Sequence, residues 1–295
     1  MTQSKIQSTK QSYESFDHDH FNYLTWSNSS EPQTVIIAVH GINGAASDYD
    51  NLANYILNHQ KDLTIYAPET RGQGNDLNLK RIGDIYRKEE WFKDLDAFSL
   101  LARSLHPSAE IIWCGESMGS LIVTHCYAQK IYFRPDRIIL LAPVVSLRPH
   151  LSVWKHKLAN LISYLLPRFR VPLTQFSGDQ AVKVTQTGDN HEEQASTNSY
   201  YINKFTLRLL ANLGNLVNNM NSSATKLDCP VLVLNGGLDY FTPPEYAELF
   251  YAEIPKSKTN RHAYFADSYH LLMYDAHQNL VFEEIIKWIK PPAQM

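Results

Sequence analysis

Cysteine is scarce. Cys114, Cys126 and Cys229 form an odd, scattered set without C-x-x-C spacing, which argues against a disulfide framework or a zinc knuckle. No run approaches the roughly 18 apolar residues that a bilayer span requires. The segment from Met1 to Phe16 is polar and has no apolar core of a secretory signal. Together these absences predict a cytoplasmic protein. Charge is short as well, at 19% Asp, Glu, Lys and Arg with a net −3, where an average soluble domain carries about a quarter. The basic residues never gather into a dense patch, so no nucleic-acid partner is expected.

What is present is apolar and aromatic. Hydrophobic residues are 44% of the 295, with 17 Tyr, 12 Phe and 5 Trp, enough for a sizeable core and incompatible with a disordered chain, a coiled coil or a collagen-like fibre. At about 150 residues per domain the length allows one large domain or two small ones.

Short β-branched or aromatic runs recur: Thr34 to Val39, Leu63 to Ala67, Glu110 to Cys114, Arg137 to Ala142, Val231 to Leu234 and, more weakly, His262 to Phe265. Each reads as a buried strand of a parallel sheet. Helical patterns separate them at Tyr49 to His59, Lys88 to Ser104, Met118 to Lys130, Pro244 to Ala252 and Asp275 to Lys290. The alternation predicts an α/β class protein, a mostly parallel sheet covered by helices on both faces. Upstream, Tyr13 to Phe16 and Phe21 to Trp26 read as an antiparallel edge hairpin. Its His18-Asp19-His20 tip looks like a metal cluster but fits a solvated turn better. The alternation stops between Val144 and Leu227, where the chain is helical, irregular and rich in Asn, Ser and Gln. The expected organisation is a frayed tail over residues 1–12, a core over 13–143 and 228–295, and an inserted helical cap over 144–227.

Gly115-Glu116-Ser117-Met118-Gly119 follows one predicted strand and opens a predicted helix. In that context G-x-S-x-G holds a serine on a sharp turn whose flanking glycines allow close backbone approach. The helix N-terminus then aims N–H groups at a developing oxyanion. A serine nucleophile needs a base, and the base an orienting carboxylate, in chain order Ser, acid, His, each just past a strand's carboxyl end. Asp239 meets that condition after the Val231 to Leu234 run, and His270 after the His262 to Phe265 run. Asp267 is the rival acid, and a helix-capping loop residue is the plainer reading of His270. His40 ends a strand too, but it precedes the serine and fits a structural role. The glycine-flanked loop His40-Gly41-Ile42-Asn43-Gly44 can turn the Ile42 N–H into the site, to act with the Met118 N–H as an oxyanion hole; an ordinary βα turn is the alternative.

HGINGAASDYDNLA, YAPETRGQGND, GESMGS, NGGLDYFTPP and DSYHLL together resemble the monoglyceride lipase and lysophospholipase group of α/β-hydrolases, the serine aminopeptidase S33-like family, from about Phe16 to Trp288. The resemblance implies an α/β-hydrolase fold, a Ser117–Asp239–His270 triad and oxyanion N–H groups from Ile42 and Met118, with no metal and no cofactor. Three positions depart from the family's usual pattern: Glu69 stands for an aspartate, Gln73 for a histidine in the R-G-H-G turn, and Asp76 for a serine. These positions belong to a turn expected to shape the pocket rim, so the departures bear on substrate choice more than on catalysis. Arg71 is expected to tie that turn down.

Within the cap, Trp154, Leu158, Leu161, Ile162 and Leu165 recur at helical spacing, a pattern stopped by Pro167. A lid packed over the pocket is the favoured reading, and transient contact with a membrane surface is the sharper one. A second segment, Tyr200 to Val217, is expected to complete the wall. Trp154, Leu158, Leu161, Phe205 and Leu209 are the expected substrate contacts in an apolar cavity over Ser117. The expected activity is hydrolysis of monoacylglycerol- or lysophospholipid-type esters. The alternatives are an S33-type aminopeptidase, for which Glu192 and Glu193 would hold the substrate ammonium, and a non-catalytic ligand binder of the same fold. Against the last, a pure binder has no need of a complete Ser117, Asp239 and His270 set.

Overall fold

The computed structural model describes residues 5–145, 163–172, 183–186 and 199–290. The strands are β1 (Thr9–Glu14), β2 (His20–Ser27), β3 (Thr34–Val39), β4 (Leu63–Pro68), β5 (Glu110–Glu116), β6 (Arg137–Leu141), β7 (Arg170–Val171), β8 (Phe205–Thr206), β9 (Val231–Gly236) and β10 (Arg261–Phe265). Among the described residues, the helices longer than one turn with both ends described are α1 (Asp50–His59), α2 (Lys88–Leu105), α3 (Met118–Ala128), α4 (Leu207–Asn218), α5 (Met220–Ala224), α6 (Pro244–Glu253) and α7 (Gln278–Ile289).

Eight strands share one sheet in the order β1-β2-β4-β3-β5-β6-β9-β10. From β4 to β10 all pairs are parallel, while β1 and β2 add an antiparallel edge. Period-two alternation places the strand side chains in two cores. Val35, Ile37, Val39, Ile111, Trp113, Leu140 and Val233 face a cluster with α2 and α3. Ile36, Ala38, Ile65, Cys114, Ile139 and Leu234 face a second cluster with α1 and α7. Burial on both faces is why these runs are continuously apolar. The architecture is the α/β-hydrolase fold that the resemblance implies.

Strand β3 is flanked by β4 on one side and β5 on the other, so the chain leaves the sheet's middle in opposite directions. Parallel α/β sheets open a crevice at such a switch point, beyond the strands' carboxyl ends. The register pairs Val39 with Gly115 and Phe265 with Gly236, so the loops after β3 and β5 lie side by side, as do those after β9 and β10.

Several boundaries differ from expectation. Thr9 to Ser12, expected as frayed tail, belong to β1, in register from Thr9 opposite Thr25. Backbone pairing holds them, and their exposed polar side chains leave no apolar signature. Helix α7 begins at Gln278 rather than Asp275. The Asp275 carboxylate instead accepts N–H bonds from Gln186 (2.9 Å), Tyr269 (2.6 Å) and Ala276 (2.8 Å).

In the inserted segment, β7 and β8 pair as a separate two-residue ladder. Helix α4 starts at Leu207 because Thr206 caps it, its Oγ1 accepting from Leu209 N–H at 3.3 Å. Thr206 Oγ1 and Arg208 Nε both donate to Asp84 at 2.6 Å, fastening this helix to the loop that precedes α2. Among the described residues of 144–227, none joins the large sheet.

The hairpin tip between β1 and β2 serves an ion-pair network. Asp17 and Asp19 bind Arg71, which also donates to Asp94 at 2.7 and 2.8 Å. Arg71 is buried and fixes the turn after β4 to the hairpin and to α2. Burial opposes its charge, but the hydrogen bonds and attraction of Asp94 and Asp17 hold its pKa above the ordinary guanidinium value.

Candidate active site

Ser117 sits between the end of β5 and the start of α3 with φ +51 and ψ −110. Such a backbone costs on the order of 1–3 kcal/mol unless the surroundings enforce it. They do: the Ser117 N–H donates to Leu141 O at 2.9 Å, and the Ser120 hydroxyl reaches back to Gly115 O at 2.6 Å. A Cβ on Gly119 would stand 1.9 Å from Val39 O, and one on Gly115 would stand 2.5 Å from the Gly119 backbone. Only glycine permits α3 to pass this close to β3 and β5.

Asp239 follows β9 and His270 follows β10, and both are buried. The His270 ring joins them to the serine. Its Nδ1 lies 2.8 Å from Asp239 Oδ2 and its Nε2 lies 2.9 Å from Ser117 Oγ. An ionised carboxylate only accepts, so Nδ1 carries the proton and Nε2 is free to accept the hydroxyl proton. The other carboxylate oxygen, Oδ1, accepts from Phe241 N–H at 2.8 Å and Thr242 N–H at 3.2 Å, which fixes the carboxylate's orientation. The Phe241 ring meets the imidazole edge-on, with centroids 4.7 Å apart. Burial opposes a charge on His270, but the Asp239 carboxylate and its hydrogen bond, with Glu116 adding, hold the pKa above its ordinary value. The rival acid, Asp267, is exposed; its backbone carbonyl accepts from the Gln186 side chain at 2.8 Å.

The loop after β3 is clamped by groups whose importance the sequence does not announce. His40 is buried; its Nδ1 donates to Gly41 O at 2.9 Å and its Nε2 accepts from Thr70 N–H at 3.1 Å. Desolvation drives its pKa down to about 4, so it stays neutral in that tautomer. Gly44 N–H also binds Gly41 O, at 3.1 Å. In a trans peptide the C=O and N–H point opposite ways, so the Ile42 N–H is turned away from these donors. Met118 opens α3, where N–H groups have no intrahelical partner. Glu116, in the middle of the motif, is fully desolvated, which raises its pKa, while His270 and the Gly41 N–H (3.0 Å) pull it down.

The turn after β4 requires a correction. Glu69, Gln73 and Asp76 are buried and bind backbone rather than shaping a rim. Glu69 Oε2 accepts from Asn75 at 3.1 Å and Ala46 at 3.2 Å. Asp76 Oδ2 accepts from Gly72 at 2.6 Å, and Gln73 Oε1 accepts from Asn43 at 2.9 Å. Of the expected substrate contacts, Trp154, Leu158 and Leu161 lie outside the described residues, as do Glu192 and Glu193. Phe205 and Leu209 have no exposed surface and belong to the α2–α3 core. Without accessible surface they cannot touch a substrate in this conformation; they pack the inserted segment onto the α2–α3 core.

Comparison with known proteins places the chain in a family. The monoacylglycerol lipase of Mycolicibacterium smegmatis is 23% identical over 267 residues, covering 90% of this chain and 91% of that one. Among solved structures, a soluble variant of the Saccharomyces cerevisiae monoglyceride lipase in complex with a substrate analog superposes with a TM-score of 0.79 at 17% identity, covering 98% of this chain and 96% of that one. The Paleococcus ferrophilus monoacylglycerol lipase gives 0.75 at 18% identity, covering 91% and 97%. The family model described as serine aminopeptidase, S33 matches residues 30–277, and the chain belongs to that family of α/β-hydrolases.

Proposed function

We propose that this protein is a serine hydrolase that cleaves carboxylic esters through an acyl-enzyme, with monoacylglycerol- or lysophospholipid-type lipids as substrates. The observation that carries the reading is the continuous chain from Asp239 Oδ2 through both His270 nitrogens to Ser117 Oγ, at 2.8 and 2.9 Å.

In this reading Ser117 Oγ attacks the ester carbonyl as its proton passes to His270 Nε2. The carbonyl π electrons move onto oxygen, where the Ile42 and Met118 N–H groups receive the charge. Collapse of the tetrahedral intermediate breaks the bond to the alcohol, which leaves with the imidazolium proton. Water repeats the sequence on the acyl-enzyme and releases the acid. Asp239 keeps the imidazole in the tautomer that this requires.

The lipid assignment draws on the lipases to which the chain is similar and on exposed apolar side chains of the inserted segment, which we read as a cap over Ser117. Tyr164, Leu165, Leu166 and Phe169 are all more than half exposed and lie beside Arg168 and Arg170, a combination suited to touching a membrane surface. Among the described residues no helix is long and apolar enough to cross a membrane.

The test is hydrolysis of p-nitrophenyl esters of increasing chain length, with Ser117→Ala and an alkyl fluorophosphonate probe as controls. Turnover that improves from acetate to octanoate, with labelling lost in Ser117→Ala, is expected. A wild-type protein that neither labels nor cleaves any ester overturns the reading. Cleavage of amino-acid arylamides without esters would select aminopeptidase chemistry instead.

A further inference from the structure

Gln73 is fully buried, and its amide touches both sides of the oxyanion site. Oε1 accepts from the Asn43 N–H, one peptide beyond Ile42, at 2.9 Å. Nε2 donates to Met118 Sδ at 3.0 Å. The amide's orientation is dictated by its partners, because a backbone N–H can only donate and a thioether can only accept.

The two peptides flanking Ile42 are thus held from different directions. The first is fixed through Gly41 O by His40 and Gly44. The second is fixed through the Asn43 N–H by Gln73. Asn43 adopts φ +61, uncommon outside glycine, and its Oδ1 accepts from Ile202 N–H at 2.9 Å, so this loop also bears a contact with the inserted segment. Met118, at the other end of the Gln73 amide, is the residue whose own N–H completes the pair of donors.

We propose that Gln73 is a positioning residue that sets the spacing between the Ile42 and Met118 N–H groups, so that both reach one oxygen as negative charge develops on it. The inference rests on the ester-hydrolase reading above. It assigns Gln73 to the rate of the chemical step rather than to substrate choice. Losing an oxyanion donor outright costs about 10²–10³ in kcat, and a donor displaced but present costs less, about 10–100-fold.

Three variants test this. Gln73→Met keeps an unbranched side chain of similar length and removes the amide. Gln73→Asn keeps the amide and is one methylene too short to span both partners. Gln73→His supplies a ring with one donor and one acceptor. All are measured with p-nitrophenyl butyrate, corrected for folded enzyme by thermal denaturation and fluorophosphonate titration. Each is also tested against an alkyl trifluoromethyl ketone. That inhibitor forms a hemiketal as Ser117 Oγ bonds to its carbonyl carbon, the hydroxyl proton moves to His270 and the oxyanion occupies the hole.

Gln73→Met and Gln73→Asn are expected to lose about 10–100-fold in kcat with KM within about threefold. Affinity for the ketone should fall in parallel, and Gln73→His should recover most of both. Folded variants with wild-type kcat overturn the proposal, as does a loss of kcat with unchanged ketone affinity, or a histidine variant no better than the methionine one. If Gln73→Met does not fold, Gln73→Asn and Gln73→His decide. An inactive wild type overturns the functional reading and this proposal with it; an active wild type with unaffected Gln73 variants overturns the proposal alone.

Discussion

Replacing Asp239 with asparagine is nearly isosteric, yet the local hydrogen bonds dictate a specific failure. Asp239 Oδ1 accepts two backbone N–H groups, from Phe241 and Thr242, while Oδ2 faces His270 Nδ1. An asparagine oxygen belongs on the side of the two N–H donors, because turning the NH₂ toward them would leave both unsatisfied at about 1–3 kcal/mol each. The NH₂ then faces Nδ1, which must become the acceptor, and the ring proton moves to Nε2. There it points at Ser117 Oγ, so the base has become a donor. Wrong-tautomer substitutions of this kind cost about 10⁴ in kcat, or about 5.4 kcal/mol of barrier. The assay is steady-state ester hydrolysis of Asp239→Asn beside Asp267→Asn, with the rate of fluorophosphonate labelling as an independent reading of serine nucleophilicity. Thermal stability should change little, since Oδ1 keeps both donors. An Asp239→Asn enzyme within tenfold of wild type would refute the reasoning, as would a larger loss in Asp267→Asn.

Gly119→Ala should cost more than the ordinary 1–3 kcal/mol of overpacking, because its Cβ would stand 1.9 Å from Val39 O, a backbone atom that cannot rotate away; urea denaturation measures it. Glu69 is a buried acid whose pKa desolvation raises from 4.5 to about 7, so the folded state binds its proton more tightly than the unfolded chain. Its contribution is therefore fully present below about pH 4.5 and lost as pH rises toward 7 and beyond. Glu69→Gln should flatten that slope and raise stability at pH 8 relative to pH 5, by at most about 3 kcal/mol, read from melting curves at the two pH values. Glu116 helps to raise the His270 pKa, so Glu116→Gln should move the acidic limb of kcat/KM to lower pH, as measured in a pH–rate profile.

The parallel sheet was legible because its strands are buried on both faces, which forces runs such as Val35 to Val39 to be apolar throughout. Ser117, Asp239 and His270 were legible for a related reason: each follows a strand's carboxyl end, and the α/β topology brings those ends together. Sequence could not show what polar groups do once desolvated. Gln73 and Glu69 stand in a turn that reads as surface, yet both are buried because backbone N–H groups of neighbouring loops need acceptors there. The sequence signal for Gln73 was its departure from the histidine usual in related chains, and its meaning came only with the contact to Asn43. Phe205 and Leu209 erred in the opposite direction. Apolar spacing locates a buried face, but it does not distinguish a face packed on α3 from one lining a cavity. The expected lid helix around Trp154 falls outside the described residues.

Backbone strain separates the site from the rest of the molecule. Among the described residues, six that are not glycine have positive φ: His18, Asn43, Asp62, Ser117, Lys130 and Ala142. His18, Asp62 and Lys130 occupy turns or the end of a helix, where a single left-handed residue reverses the chain. Asn43, Ser117 and Ala142 instead follow β3, β5 and β6, adjacent strands in the sheet, all at the carboxyl edge. Each is held by bonds to a neighbouring strand or loop: Asn43 N–H to Gln73, Ser117 N–H to Leu141 O, Ala142 N–H to Leu234 O at 2.8 Å. Left-handed residues are tolerated there because the surroundings over-determine them. The same bonds that enforce the strain also fix the positions of the hydroxyl and of the two N–H groups proposed as the oxyanion hole. Relaxing one strained residue would therefore loosen the donors before it loosened the fold, and catalytic rate should be more sensitive than melting temperature to changes at this edge.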